Sequence, residues 1–277
     1  MTTAPQVFDR ALYIARQSNA SGDGLPLLDL RIADEMQDRI SLINRSFDRA
    51  ILIAPRADVF ADSLNTTGKF NQLTTKAPTC SDDLNLEPDT FNAIFSLLDL
   101  HAVNDVPGYM AQVARALRPD GLAVFAFFAG ETLRELREAW LEAEQQVTGG
   151  VSPRVAPMID LRETGGLLQR AGLALPVADV DRVTIRYADA MSLMRDVKAL
   201  GFSNCLSGRS RKFISPGMLF QAATHYPAQT DGRIAATIEI AWATAWKPHA
   251  SQQQPLKPGS AKARLSEALK VDEVKLK

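Results

Sequence analysis

Three short apolar runs constrain the fold of this chain more than any other feature: Ala50-Ile51-Leu52-Ile53-Ala54, Phe91 to Leu98, and Gly121 to Phe128. Each has the length of a strand and leaves no regular polar face for water. Runs of that kind are buried on both sides, as inner strands of a parallel sheet are. Around them the spacing changes. Leu28, Ile32, Met36, Ile40 and Ile43 recur at three- and four-residue steps, so Leu28 to Ile43 is expected to be a helix with one buried face. Val106 to Leu117 has the same character and is expected to close at Arg118-Pro119-Asp120-Gly121, where Pro and Gly stop a helix. Strands alternating with helices imply a mostly parallel sheet covered on both faces.

The alternation continues along the chain. Further helices are expected at Phe8 to Gln17, Glu131 to Val147, Asp160 to Ala171, Ala188 to Leu200 and Pro216 to Tyr226, and strands at Ala178 to Tyr187 and Ile234 to Trp246. Trp242 and Trp246 share one face of the last strand and are expected to serve the core. Beyond them, Lys247 to Lys277 is rich in Gln, Pro, Ser and Lys and reads as a surface tail with one weak helix, Ala261 to Leu269. The expected organisation is a helical segment over 1–46, a domain over 47–249 with helical insertions at about 130–170 and 188–226, and a polar tail over 250–277.

Lys and Arg number 31 against 32 Asp and Glu, a net charge of -1, so the chain-wide basic field of a general nucleic-acid binder is missing. Cys80 and Cys205 are the 2 cysteines, too few for a disulfide framework or a Cys-rich zinc site. The 3 histidines leave little material for a His-built metal centre, and no metal is expected. No apolar stretch approaches the ~20 residues that span a bilayer. The N-terminus lacks a basic region followed by an apolar one. A soluble protein of a reducing compartment is expected: cytoplasmic in a bacterium, or in the mitochondrial matrix if organellar. Peripheral membrane association is left open.

The segment Phe91-Asn92-Ala93-Ile94-Phe95-Ser96-Leu97-Leu98-Asp99-Leu100-His101-Ala102-Val103-Asn104-Asp105, followed by a helix, Leu117-Arg118-Pro119-Asp120-Gly121 and a strand, resembles class I S-adenosylmethionine-dependent methyltransferases. That resemblance implies an α/β, Rossmann-like fold with a mostly parallel seven-stranded sheet, helices on both faces, and a helical lid between strands five and six. The flanks are similar to one subfamily, the respiratory complex I assembly factors of mitochondria and their bacterial relatives. Phe8-Asp9-Arg10, Gly130 to Arg137, Gly150 to Pro157, Ser203-Asn204-Cys205 and Ala245 to His249 carry that likeness, in order along nearly the whole chain. The subfamily implies hydroxylation of an arginine in a complex I subunit. Its cousins are methyltransferases, some acting on a malonyl group in biotin synthesis.

The resemblance also implies a cofactor site, and here the chain departs from the pattern. The family places an acid and Gly-x-Gly-x-Gly after strand one, where the backbone must approach the ligand without side chains. The equivalent stretch, Ile51 to Val59, has no glycine: Ala54 and Arg56 stand in it, and Pro55 removes an N–H donor. The ribose-binding acid at the end of strand two falls on Leu73 or Thr74, neither of which replaces a carboxylate. The adenine-contacting acid falls on Asp82 or Asp83, and Leu98 ends strand four. With two of the three contacts missing, each charged hydrogen bond being worth ~1.5–3 kcal/mol, loss of S-adenosylmethionine is favoured over retention.

His101 lies in the loop where a methyltransferase holds its substrate. It is a candidate general base with Asp99 or Asp105 as orienting carboxylate, and equally a loop-packing histidine. Cys205 reads as a small buried hydrophobe. Arg209, Arg211 and Lys212 form a basic patch, either a docking loop or solvated surface; Glu131, Arg134, Glu135 and Glu138 read as a solvated helix face. Hydroxylation would need iron or a flavin, and no His-x-Asp/Glu signature supplies iron ligands. The expected function is protein binding in respiratory complex assembly, with a complex I subunit as partner. The alternative is an active methyltransferase or arginine hydroxylase with an altered cofactor loop.

Overall fold

The computed structural model describes residues 5–20 and 26–253; the expected tail helix at 261–269 lies outside them. In chain order the elements are α1 (Arg10–Ser18), α2 (Pro26–Ser41), β1 (Phe47–Ile53), α3 (Ala57–Thr66), β2 (Phe70–Lys76), β3 (Phe91–Leu97), α4 (Val106–Ala116), β4 (Leu117–Phe128), α5 (Arg134–Thr148), α6 (Leu161–Arg170), β5 (Ala174–Tyr187), α7 (Ala190–Ala199), α8 (Pro216–His225) and β6 (Ile234–Trp246). One sheet has the order β2-β1-β3-β4-β6-β5. β2, β1, β3 and β4 run parallel, while β6 pairs antiparallel with both β4 and β5.

The inner strands behave as their apolar runs require, sending alternate side chains into two separate cores. Ala50 and Leu52 of β1, Ala93 and Phe95 of β3, and Val124 and Ala126 of β4 face one layer, built from α2, α3, α5, α7 and α8. Ile51, Ile53, Ile94, Ala123 and Phe125 face the other, built from α4 and α6. Trp242 is buried in the first core and Trp246 packs against it, with the Arg39 and Arg45 guanidinium groups over their rings at 4.8 and 5.2 Å.

Two expectations need correction. The sheet has six strands among the described residues, not seven. A parallel connection takes a dozen or more residues, usually with a helix; residues 77–90, between β2 and β3, are enough for one connection and contain neither helix nor strand. Pro78, Pro88 and a run of polar residues there offer no ladder partner. Second, Leu117 to Gly121 is not a turn that follows a helix but the start of β4, in which Asp120 takes a positive φ of 62° and the register with β3 shifts. Helix α3 was not anticipated; its buried Phe60 and Leu64, four apart, were the available signal.

Candidate functional site

In open α/β sheets ligands bind beyond the carboxyl ends of the strands, where the strand order reverses. Here β1 leads outward to β2 and, on its other side, adjoins β3, so that crevice lies over the ends of β1, β2 and β3. Helix α1 covers it. Asp9 caps α1 by accepting from the Leu12 N–H at 3.0 Å and also receives Arg209 at 3.2 Å. Asn104, in the loop after β3, holds the preceding residue by both backbone groups: its Oδ1 accepts from the Phe8 N–H at 2.7 Å and its Nδ2 donates to the Phe8 carbonyl at 3.1 Å. The helix is thereby registered against the strand ends.

From that position Arg10 reaches across the end of β1. It donates to Asp99 after β3, from Nη1 at 2.7 Å and Nη2 at 3.3 Å, and to the Thr79 carbonyl after β2 at 3.0 Å. Asp82 lies 3.5 Å from its Nε. Asp99 is 1% exposed and Arg10 5%. Burial lifts the Asp99 carboxyl above its ordinary value, with Arg10 pulling it back down. Burial works against the Arg10 charge too, but its attraction and hydrogen bonds to Asp99 outweigh that, and the guanidinium is held more firmly protonated. Tyr13, one turn further along α1, donates to the Leu98 carbonyl at 2.5 Å. Leu98 itself sits at φ 55°, a left-handed conformation that a branched residue keeps only when its surroundings enforce it.

The turn after β1 is equally committed. Arg56 points away from the strand ends and makes two bonds to Asp29 of α2 (Nε–Oδ2 2.5 Å, Nη2–Oδ1 2.9 Å), with Gln17 at 2.9 Å and the Leu200 carbonyl at 3.3 Å. The Ala54 N–H is bonded to the Lys76 carbonyl at 3.2 Å, and Ala54 is fully buried. Thr74 donates to the Ala50 carbonyl at 3.2 Å, inside the sheet and short of its carboxyl edge. The residue that does end β2, opposite Ile53, is Lys76, whose ammonium donates to the Leu84 carbonyl at 2.6 Å. Asp82 accepts from the Asn104 and Asp105 N–H groups at 3.0 Å, whereas Asp83, among the described residues, is bound only to neighbouring Ser81.

The expected His101 pair is not formed. Asp99 belongs to Arg10, and Asp105 caps α4 by accepting from the Gly108 N–H at 2.9 Å. The His101 imidazole lies instead among Phe128, Phe202 and Tyr13, at centroid distances of 4.8, 5.7 and 6.0 Å, with neither ring nitrogen hydrogen-bonded among the described residues. Burial, with a smaller push from Arg10, lowers its pKa to about 3. Cys205 is buried with Phe8, Tyr13, Ala102 and Leu206, and burial raises its thiol pKa. Glu135 is not simply solvated: it accepts from Thr237 Oγ1 at 2.5 Å and its N–H at 3.2 Å, tying α5 to β6.

A methyltransferase-domain family model matches residues 57–125. The Mus musculus protein named arginine-hydroxylase NDUFAF5, mitochondrial, is 33% identical over 300 residues, covering 99% of this chain and 88% of its own. The chain belongs to the NDUFAF5 family. The Homo sapiens NDUFAF5 is 32% identical over 98% of this chain and 86% of its own length. A malonyl-[acyl-carrier protein] O-methyltransferase of Halorhodospira halophila is 38% identical over a shorter stretch, 57% of this chain and 52% of that protein. A crystallised Bacillus halodurans protein described as a methyltransferase superposes with a TM-score of 0.50 at 9% identity over 78% of this chain and 98% of that one, a likeness of fold. S-adenosylmethionine is the cofactor that the methyltransferase-domain likeness implies.

Three of the family-like blocks meet at one place. Phe8-Asp9-Arg10 supplies the clasp, Asp99 to Asp105 receives it, and Ser203-Asn204-Cys205 closes over α1. Asp9 donates its N–H to the Cys205 carbonyl at 2.8 Å, and Arg16 donates to the Asn204 carbonyl. Gly201 leads into the last block at φ 77°, and a Cβ there would lie 2.8 Å from the Arg16 carbonyl, so the close approach of α7's end to α1 requires glycine. Sequence reasoning passed over Arg10, Tyr13, Asp29 and Lys76 as site residues. Arg10 and Tyr13, three apart at the start of a helix, were the one visible hint.

Proposed function

We propose that this NDUFAF5-family protein works by binding a protein partner in respiratory-complex assembly, with a cofactor site that has decayed, rather than as an S-adenosylmethionine-dependent catalyst. One observation carries the reading: Arg10 bridges Asp99 and the loop after β2 across the end of β1, the place the fold reserves for a ligand. The residues around it do not fit the cofactor as the family holds it. The turn after β1 has no glycine, and its Arg56 is tied into α2. The edge of β2 presents the cation Lys76 where ribose hydroxyls would need a carboxylate, and Asp82 is engaged by two backbone N–H groups. We infer no chemical step through S-adenosylmethionine for this chain.

The docking face belongs to the expected insertion at about 188–226. Phe213 is fully exposed there, with Ile214 and Phe220 also exposed and Arg211 and Lys212 beside them. Arg209 is not part of that face, since it is bound to Asp9 and the Leu206 carbonyl. A complex I subunit is the partner we infer from the family, in the compartment where that complex is assembled. No helix among the described residues is long and apolar enough to cross a membrane.

Titration calorimetry with S-adenosylmethionine and its demethylated product tests the reading. We expect no heat at millimolar ligand from a folded sample. Saturable micromolar binding would overturn it in favour of a methyltransferase or arginine hydroxylase with an altered loop.

A further inference from the structure

The end of the sheet away from the Arg10 crevice carries an open apolar groove of about 250 Å³. It runs between the last turns of α2 and the paired strands β4 and β6, with Leu42, Ile43, Leu122, Thr244 and Trp246 among its walls. The register fixes its place: Leu122 and Val124 of β4 lie opposite Trp246 and Thr244 of β6. Leu42 is 86% exposed, and Val177, opposite Thr244 on the edge strand β5, is 60% exposed. Residues paired across strands share a face of the sheet, so Val177 carries the apolar floor out to the edge. Large apolar side chains exposed side by side mark an interaction surface.

The chain that follows β6 starts out beside this groove. Gln252 Nε2 donates to Asp120 Oδ1 at 2.9 Å and to the Lys247 carbonyl at 2.8 Å. The other Asp120 oxygen holds Arg45 at 2.9 Å, and the Arg45 guanidinium lies over Trp246, a wall of the groove. Residues 254–277 lie outside the described residues. Their sequence has Ala261, Leu265 and Leu269 at four-residue steps, with Ala268 beside them, the spacing of one apolar helix face. Residues 254–260, in between, can span up to about 25 Å. Charge agrees with apolar pattern. The segment has six Lys and Arg against three Asp and Glu. At the groove wall Arg39 is shared by two carboxylates, Glu35 at 2.8 Å and Asp179 at 2.6 Å, and Asp38 is exposed one turn before Leu42. The rim is therefore acidic on balance.

We propose that this groove is the docking site of the chain's own C-terminal segment, which lays Leu265 and Leu269 against Leu42, Ile43 and Trp246 and turns its basic residues toward the acidic rim of α2. The tether selects this occupant: a segment joined through a short linker meets its site at millimolar effective concentration, without the cost of bringing in a second molecule. The segment is then a strap across the open end of the first core rather than a surface tail. The inference stands apart from the assembly role and from the crevice: it holds whether or not a protein partner or S-adenosylmethionine binds.

A nitroxide spin label on Ser266→Cys, in the full chain with Cys80→Ser to leave buried Cys205 as the other thiol, tests the contact through isoleucine methyl resonances. The label should broaden the Ile43 methyl and leave Ile159, which bridges Ala129 at the far end of β4, unchanged. Leu42→Glu, at an exposed position, should abolish the broadening, and so should Leu265→Ser with Leu269→Ser. A synthetic peptide of residues 254–277 should bind a chain ending at Gln253 saturably, shifting the Ile43 methyl, and should bind the full chain at least about tenfold more weakly because the tethered segment competes. Circular dichroism establishes that each variant is folded. No broadening at Ile43, or equal affinity of the peptide for the two chain lengths, would overturn the proposal. So would broadening that appears in isotope-labelled chains mixed with spin-labelled ones, which would put the segment on a second copy.

Discussion

Helix α1 closes two adjoining spaces by opposite means. Over the strand ends it inserts Arg10, and charge meets charge: Asp99, the Thr79 carbonyl and Asp82 surround the guanidinium. Beside them, Phe8 and Tyr13 of the same segment help wall an apolar cavity in which buried His101 has no hydrogen-bond partner among the described residues. The first space holds a guanidinium among carboxylates, though Arg10 Nε and Asp82 Oδ1 meet only as a 3.5 Å ion contact; the second is apolar and leaves an imidazole unbonded among the described residues. The difference teaches that occupancy of a fold's usual ligand crevice is decided by side chains brought in from outside the sheet.

The sharpest way to break this contrast is to remove one half of the buried ion pair. Asp99→Asn leaves Arg10 with only the more distant Asp82 carboxylate and should cost about 3–5 kcal/mol in urea unfolding, while Arg10→Met combined with Asp99→Leu should recover most of it. Recovery would show that pairing, not the loss of either residue, sets the cost. Next in size, Gly201→Ala should lose about 1–3 kcal/mol, because the residue is held at φ 77° against the Arg16 carbonyl and closure over α1 depends on that approach.

The cavity side predicts a pH effect. With a pKa of about 3 in the folded protein and an ordinary 6.5 when unfolded, His101 takes a proton first in the unfolded chain. Its contribution is therefore intact above pH 6.5 and is lost as the pH falls toward 3, at up to about 1.4 kcal/mol per pH unit. Unfolding midpoints of the parent and of His101→Phe should diverge over that window, the variant being the less acid-sensitive. Smaller still, Tyr13→Phe should cost about 1 kcal/mol by orphaning the buried Leu98 carbonyl. Exposed Arg186, paired with Asp231 at the sheet edge, should cost less than about 0.5 kcal/mol on change to Ala.

The strands and most helices were legible because burial imposes a period. Ile234 to Trp246 was expected as a strand and is β6, and Leu28 to Ile43 anticipated α2 to within two residues at each end. Edges were less legible. The span after β2 looks adequate for another strand until the length of a parallel connection is set against it. At the crevice, the absence of glycine between Ile51 and Val59 was plain in the chain. What replaces the missing contacts was not, since Arg10 lies 89 positions from Asp99 and Arg56 lies 27 from Asp29. His101 was visible as a reactive residue type, but its isolation depends on Phe128 and Phe202, contributed by other elements.

What the sequence alone determined is the layered α/β plan, its parallel inner strands and the family to which it is akin, because hydrophobic period and local turn chemistry act between near neighbours. What only the tertiary structure decided is which charges meet, which side chain crosses the strand ends and which cavity is left. Ion pairing and desolvation depend on distance in space, and helix α1 reaches the ends of β2 and β3 only once the sheet exists to receive it.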